Sequence, residues 1–357
     1  MPVERRPEII GLGKAQGSRV ITNFDVAQMM DEGRKDGERK IPAKVVDKLA
    51  KRVGLDKRGW LNDGEGASYL GTIATKQAME MAGVTIGDVK SVMVATGLPD
   101  YLGVPTGTII VENLGGNKKI QTADISGACP GFFHALKSVT DSLSNPYGIG
   151  GPQVCVAAEP ASKGINARVP ETYMLFGDGG GAFVMDLVDV DSTSPMFTFD
   201  FGNDPSLREN LYVPVGGSRV PTTIESLEQN LNCIRMDGPK VKEAAIRYMT
   251  EIAESVLAKA HMTLDDIDLV IPHQANLEII NGVAANLQVP DEKLYVNIQR
   301  YGNTSAASVP IAIREAWEEG RLKRGDKVLA VTFGAGLNFA GAIIPMNALP
   351  QANQSQQ

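Results

Sequence analysis

The phrase EMAGVTIGDVKSVMVAT at residues 80–96 returns as AKAHMTLDDIDLVIPHQ at 258–274, with the same helix end, acid-bearing turn and apolar strand. A second pair, FGDGGGAFVM (176–185) and FGAGLNFAGAIIPM (333–346), follows at a similar interval. Between the members of each pair lies a strand, a glycine-containing turn and a small-residue helix: ADISGACPGFFHAL (123–136) in one half and VNIQRYGNTSAASVP (296–310) in the other. A repeat this long is one folding unit used twice, so the chain is read as two α/β halves, 1–186 and 187–357. Segments 89–96, 120–126, 152–158, 267–272 and 327–333 are short, apolar and β-branched, as strands buried on both faces require. The amphipathic stretches 68–83, 238–260 and 310–320 are the helices that cover them. Loops at equivalent strand ends should face one another across the pseudo-twofold, where a site can be assembled.

Composition narrows the class. The chain has 357 residues, 43% of them hydrophobic, which is enough for a large core. Three cysteines give no disulfide framework, the N-terminal MPVERRPEII is charged where a signal peptide is apolar, and no run approaches the roughly 18 apolar residues of a membrane span. The expected setting is reducing and cytoplasmic. A net charge of −7 argues against nucleic-acid binding. The charge is uneven, because residues 1–60 carry 14 Lys and Arg against 9 Asp and Glu. KVVDKLAKRVGLDKR (44–58) reads as a solvated helix face, with a landing site for an acidic partner as the alternative.

Chemistry concentrates at strand ends. In TADISGACPGFFHALKSV (122–139), the strand ends near Ser126 and Pro130 suits the first position of a helix, which places Cys129 where free N–H groups favour a thiolate. Cys155 and Cys233 lie in apolar runs and read as packing residues. Of the three histidines, His134 sits within the nucleophile's helix and His261 in a polar turn, whereas His273 directly follows the strand IDLVIP. Asn303, in RYGNTSAASVP, is read as matching Cys129 in the second unit, and Pro310 as bending the helix after it. Three dispersed histidines without a C-x-x-C leave no metal cluster. Gly11, Gly13 and Gly17 mimic a dinucleotide loop without the strand–helix–strand unit it needs, and the papain-type cysteine signature is absent.

DISGACPGF around Cys129, LFGDGGGA (175–182), VIPHQAN (270–276), YGNTSAASVP (301–310) and FGAG (333–336), in this order, resemble the β-ketoacyl-[acyl-carrier-protein] synthase III enzymes over nearly the whole length. The resemblance implies a five-layered α-β-α-β-α thiolase-like fold in a homodimer, with Cys129 as acyl carrier and His273 and Asn303 as its polar companions. It implies an acyl-CoA primer delivered down a tunnel, an oxyanion hole from the backbone N–H groups of Cys129 and Gly336, and a malonyl-loaded acyl carrier protein as second substrate. The product would be a β-ketoacyl-carrier that initiates fatty acid synthesis, made without a cofactor or metal. Val104, in the loop GLPDYLGVPTG (97–107), and Phe333 are the implied walls of the acyl pocket.

The sequence departs from the family pattern at Glu278, which stands where a basic residue helps dock the carrier protein. It departs again in the absence of a tryptophan–isoleucine pair from KLAKRVGLDKR, in the extra segment MMDEGRKDGERKIPAK (29–44), and in the ending GAGLNFAG. A specialised condensing enzyme or acyltransferase with an unusual donor or acceptor is therefore the alternative. A degradative thiolase would need a second cysteine in that last loop. A 3-hydroxy-3-methylglutaryl-CoA synthase would need a glutamate base, for which Glu65, Glu80 and Asp100 are the candidates.

Overall fold

The structure, a computed structural model, describes residues 3–34 and 40–350, so part of the extra segment, 35–39, lies outside the described residues. The first half runs β1 (Val3–Gln16), β2 (Arg19–Thr22), α1 (Asn23–Glu32), α2 (Ala43–Arg52), β3 (Lys57–Trp60) and α3 (Ala67–Ala82). It continues through β4 (Ser91–Ala95), α4 (Thr106–Asn113), β5 (Gln121–Ile125), α5 (Gly131–Ser144), β6 (Gln153–Glu159), α6 (Pro170–Tyr173) and β7 (Gly179–Asp191). The second half runs β8 (Thr198–Asn203), β9 (Leu211–Tyr212), α7 (Ile224–Glu228), β10 (Arg235–Met236), α8 (Gly238–Ala260) and β11 (Leu269–Pro272). It ends with α9 (Leu277–Leu287), α10 (Ile298–Tyr301), α11 (Ser308–Glu318), β12 (Lys327–Gly334) and β13 (Asn338–Pro345).

Two mixed sheets carry the duplication. One is ordered β1-β7-β6-β4-β5 and the other β8-β13-β12-β11, so β8, β13, β12 and β11 take the places of β1, β7, β6 and β4. The fifth position of the second sheet is held by a single parallel bridge between Val270 and Leu294. The sequence repeat is visible in the backbone: α3 ends on Gly83 and α8 on His261, each in the left-handed region, and each turn leads into the matching strand. The chain crosses between sheets after Asp191, which still pairs with Val3, rather than at 186.

Alternation along the strands builds the layers. On β6, Cys155 and Ala157 face the central core with α5 and α11, while Val154, Val156 and Ala158 face α3 and α4. On β12, Val328 and Ala330 face the same central core, while Leu329, Val331 and Phe333 face α8 and α9. Each strand buried on both faces thus serves two cores, and the result is α-β-α-β-α, the five-layered thiolase-like fold. Each large apolar side chain so buried contributes about 1.5–3 kcal/mol. The glycines that mimic a dinucleotide loop belong to this packing: a Cβ at Gly11 or Gly13 would collide with the Ala78 or Ala74 carbonyl oxygen of α3. Pro310 lies in the first turn of α11, where no intrahelical N–H is required, so it does not interrupt the helix, which runs on to Glu318.

Candidate active site

Cys129 sits on a tight turn between β5 and α5. Gly131 N–H donates to the Ala128 carbonyl (2.8 Å), and Ala128, not the glycine beside it, takes the left-handed conformation at φ 51°. The pseudo-symmetric turn before α11 repeats this strain at Ser305, also φ 51°. Since α5 starts at Gly131 and α11 at Ser308, the residue matching Cys129 is Ala306; Asn303 stands three residues earlier than the sequence reading placed it.

The side chains singled out by their neighbourhoods come together. Cys129, His273, Asn303 and Phe333 line one cavity of about 530 Å³. Lys242, Asn276 and Glu278 line it too, and Met249, Val241 and Ile279 supply apolar wall. His273 follows β11, its backbone N–H bonded to the Val331 carbonyl (2.7 Å), and its Nδ1 lies 2.6 Å from Ser308 Oγ. Burial pushes the His273 pKa down to about 3, so the ring is neutral at ordinary pH. Asn303 is clamped between halves: its N–H donates to the Leu175 carbonyl and its own carbonyl accepts from Gly177, both at 3.0 Å. The LFGDGGGA motif therefore acts as a brace for Asn303. Asn303 Oδ1 accepts from the Ser305 N–H (2.9 Å), which orients the amide so that its NH₂ remains available to the cavity.

A second cavity of about 230 Å³ lies beyond Cys129, lined by Leu98, Leu211, Val213 and Ile234 together with Glu159 and Ser305. Phe333 is absent from its lining, and Val104 lines neither cavity, being 44% exposed in the loop before α4. Gly336 has φ 88°, a conformation suited to glycine, but the glycine packed on the nucleophile is Gly334. A Cβ there would meet Cys129 N and Pro130 Cδ at 2.8 Å.

Burial pushes the Cys129 thiol up to about 12; the Ser305 hydrogen bond opposes this, and the Glu159 charge adds to it. The expected lowering by the helix N-terminus is thus overcome in the resting site, because desolvation penalises the thiolate more than the turn stabilises it. Glu159, Ser305, Ser308 and Gly334 were not singled out from the sequence. Glu65, Glu80 and Asp100 line neither cavity. Glu278 is held below the usual carboxylate range by Lys242 (3.0 Å) and Arg52 (2.9 Å), which ties α2 to the cavity mouth. Cys155 is fully buried in β6 and Cys233 nearly so. His134 stacks on Phe201 with ring centres 4.6 Å apart. Among the described residues, no group of three or more His, Cys, Asp or Glu is placed to hold a metal ion, and no helix is long and apolar enough to cross a membrane.

Two family models match this chain. That of 3-oxoacyl-[acyl-carrier-protein] synthase III covers residues 123–205, with Cys129, and that of its C-terminal part covers 257–346, with His273 and Asn303. The β-ketoacyl-[acyl-carrier-protein] synthase III of Caldanaerobacter subterraneus is 36% identical over 336 residues, 94% of this chain and 96% of the relative. The chain belongs to the 3-oxoacyl-[acyl-carrier-protein] synthase III family. The crystal structure of the family member from Aquifex aeolicus superposes with a TM-score of 0.80 at 32% identity, covering 94% of this chain and 99% of that one. The priming β-ketosynthase of a polyketide biosynthetic pathway superposes with a TM-score of 0.82 at 28% identity, covering 96% and 98%. Family membership assigns condensing acyltransferase chemistry.

Proposed function

We propose that this enzyme condenses an acyl-CoA primer with a malonyl-loaded acyl carrier protein through an acyl-thioester on Cys129, and so initiates fatty acid synthesis in the cytoplasm as a homodimer. The supporting observation is the single cavity that has Cys129, His273 and Asn303 in its wall and charged residues at Lys242 and Glu278. The Cys129 sulfur attacks the primer thioester, with the backbone N–H groups of Cys129 and Gly336 receiving the oxyanion. Coenzyme A leaves and the malonyl arm enters by the same route. Loss of CO₂ puts negative charge on the malonyl thioester oxygen. His273, neutral and paired at Nδ1 with Ser308 Oγ, is assigned here the tautomer that offers Nε2–H, and Asn303 offers its amide NH₂. The enolate carbon then attacks the acyl-Cys129 carbonyl and expels the thiolate. Intact-mass measurement of the Cys129 adduct with a panel of acyl-CoAs, beside release of labelled CO₂ from malonyl-carrier, tests this reading. A protein that never gains acyl mass would refute it.

The 230 Å³ cavity is the proposed seat of the primer chain. An apolar cavity of about 150 Å³ is enough to take up benzene, so butyryl and hexanoyl primers are expected to load Cys129 as well as acetyl does. Acceptance of acetyl alone in the same mass assay would contradict this. The exposed apolar loop with Tyr101, Leu102 (90% exposed) and Val104 suits a dimer contact, through which Val104 would reach the partner's primer pocket.

Carrier docking is proposed at the cavity mouth, where Glu278 neutralises Arg52 and Lys242. Glu278→Arg removes that acid and places three cations together, so the KM for malonyl-carrier is expected to fall several-fold while that for acyl-CoA stays within about twofold. Equal changes for both substrates would remove Glu278 from the docking surface. The likeness to a polyketide priming synthase, with the departures at Glu278 and GAGLNFAG, keeps a specialised condensing role as the second reading; the acyl-CoA panel separates the two by donor choice.

A further inference from the structure

Glu159, the last residue of β6, is 3% exposed and lines, with Cys129, the smaller cavity, whose wall does not include His273. Its Oε2 accepts from the Gly97 N–H (3.1 Å) and its Oε1 lies 3.2 Å from Ser305 Oγ, which is itself 3.5 Å from Cys129 Sγ. One hydroxyl proton cannot serve both neighbours. An ionised carboxylate only accepts, so beside a thiol the Ser305 O–H is assigned to Glu159 and its lone pairs to the Cys129 S–H, whereas once the sulfur is a thiolate Ser305 donates to it and lowers its pKa. The order is S–H to hydroxyl to carboxylate, an aligned path for a proton. With the proton moved to Glu159, the carboxylic acid donates to Ser305 and Ser305 donates to the thiolate, so both ends of the transfer are fully hydrogen-bonded. The strained Ser305 backbone, held by Asn303 Oδ1, keeps the hydroxyl in place.

We propose that Ser305 and Glu159 form a proton relay that activates Cys129. As the Cys129 sulfur forms its bond to a thioester carbonyl carbon, the thiol proton passes to Ser305 Oγ and the Ser305 hydroxyl proton passes to Glu159 Oε1. The C–S bond to coenzyme A then breaks, and that thiolate takes its proton from solvent. When the enolate later forms its C–C bond and expels Cys129 as a thiolate, the proton on Glu159 returns by the same two steps. The cycle rests on the proposed acyl-cysteine chemistry, but the relay itself acts on any electrophile that meets Cys129.

Electrostatics suit such a relay. Burial raises Glu159 to about 7, with the Asp178 charge adding to the rise and hydrogen bonds from Gly97, Ser305 and the Ala306 backbone opposing it. Asp178, on the loop before β7, is held by Ser162 and Leu61 N–H groups with Lys163 nearby, and Cys129 is the other titratable group beside the relay. A thiol at about 12 and a carboxyl at about 7 do not exchange a proton at rest, so the transfer accompanies bond formation, which is general-base catalysis.

The test is the rate of Cys129 alkylation by iodoacetamide on the full chain between about pH 5.5 and 9, read by intact mass and peptide mapping; no acyl substrate is involved, so its outcome is independent of the condensing reaction. The wild-type rate is expected to rise with a midpoint near pH 7 as Glu159 ionises. Glu159→Gln should lose that midpoint and react about 10²-fold more slowly at about pH 8. Ser305→Ala should lose it equally, and the double variant should be no slower than Glu159→Gln. If Glu159 acts only as a neighbouring negative charge, its removal favours the thiolate and Glu159→Gln reacts faster; an unchanged or faster rate overturns the relay. Should Glu159→Gln fail to fold by its melting curve, Ser305→Ala decides: loss of the midpoint near neutral pH supports the relay, and a wild-type profile overturns it.

Discussion

Asn303→Ala is expected to leave a protein that still gains acyl mass on Cys129 but condenses about 10²–10³-fold more slowly, as removal of one oxyanion donor does. The reason is where each group's hydrogen bonds go. Acylation draws on Cys129, its turn, the backbone N–H groups and the proposed relay; Asn303 touches only the last, through the Oδ1 that accepts from the Ser305 N–H, so its loss is expected to slow acylation far less than condensation. Decarboxylation draws on donors aimed at the malonyl thioester oxygen, which the proposed mechanism assigns to Asn303 and His273. Cys129→Ala is expected to show the reverse, with no acyl adduct but residual release of labelled CO₂, since that step needs no bond to sulfur. His273→Ala should slow decarboxylation more than acylation. Both readouts are to be taken on the same preparations. If Asn303→Ala lost acylation and kept decarboxylation, a triad in which Asn303 serves thiol activation would replace this division of labour.

Gly334→Ala is expected to reduce the acylation rate by about 10²-fold without unfolding the protein. Its backbone is extended, with φ −160°, so alanine meets no conformational penalty. The obstacle is steric: the new Cβ would lie 2.8 Å from Cys129 N and 2.9 Å from Cys129 Cβ, atoms of a strained turn that has no flexible end to swing aside. Relief must come from a shift of the turn or of β12, and a displacement of about 1 Å at a reacting atom is enough for a loss of this size. A melting temperature within a few degrees of wild type, together with slow adduct formation, is the expected pair of results. Wild-type acylation would show that the turn tolerates the methyl.

The two-fold repeat, the strands at 89–96, 120–126, 152–158, 267–272 and 327–333, and the helices between them follow from local pattern alone, because apolar period and turn residues are properties of short segments. The same holds for the turn of Cys129: β5, Pro130 and two glycines mark a strand-to-helix corner wherever they occur. His273 could be picked out because polar residues directly after an apolar strand are conspicuous, and Asn303 because its phrase repeats that of Cys129; both line one cavity with Cys129. Sequence also sufficed for family membership, since five motifs in order carry more information than any one.

Tertiary structure decided the rest. Ser305 reaches Cys129 across 176 residues and Glu159 across 146, distances over which no sequence pattern reports a contact. Glu159 ends an ordinary buried strand, and nothing in PQVCVAAE separates it from a surface carboxylate at a strand end. The match of Asn303 to Cys129 failed for a related reason: the phrases align, but only the repeated left-handed residues, Ala128 and Ser305, fix the register. The protonation of the site was likewise beyond the sequence. A helix start predicts a lowered thiol, yet Cys129 is only 9% exposed and sits beside a carboxylate, and its proton is held by desolvation. Local sequence sets which groups a site can contain; how far water is excluded from them, and hence what charge they carry, is set by packing between segments distant in the chain.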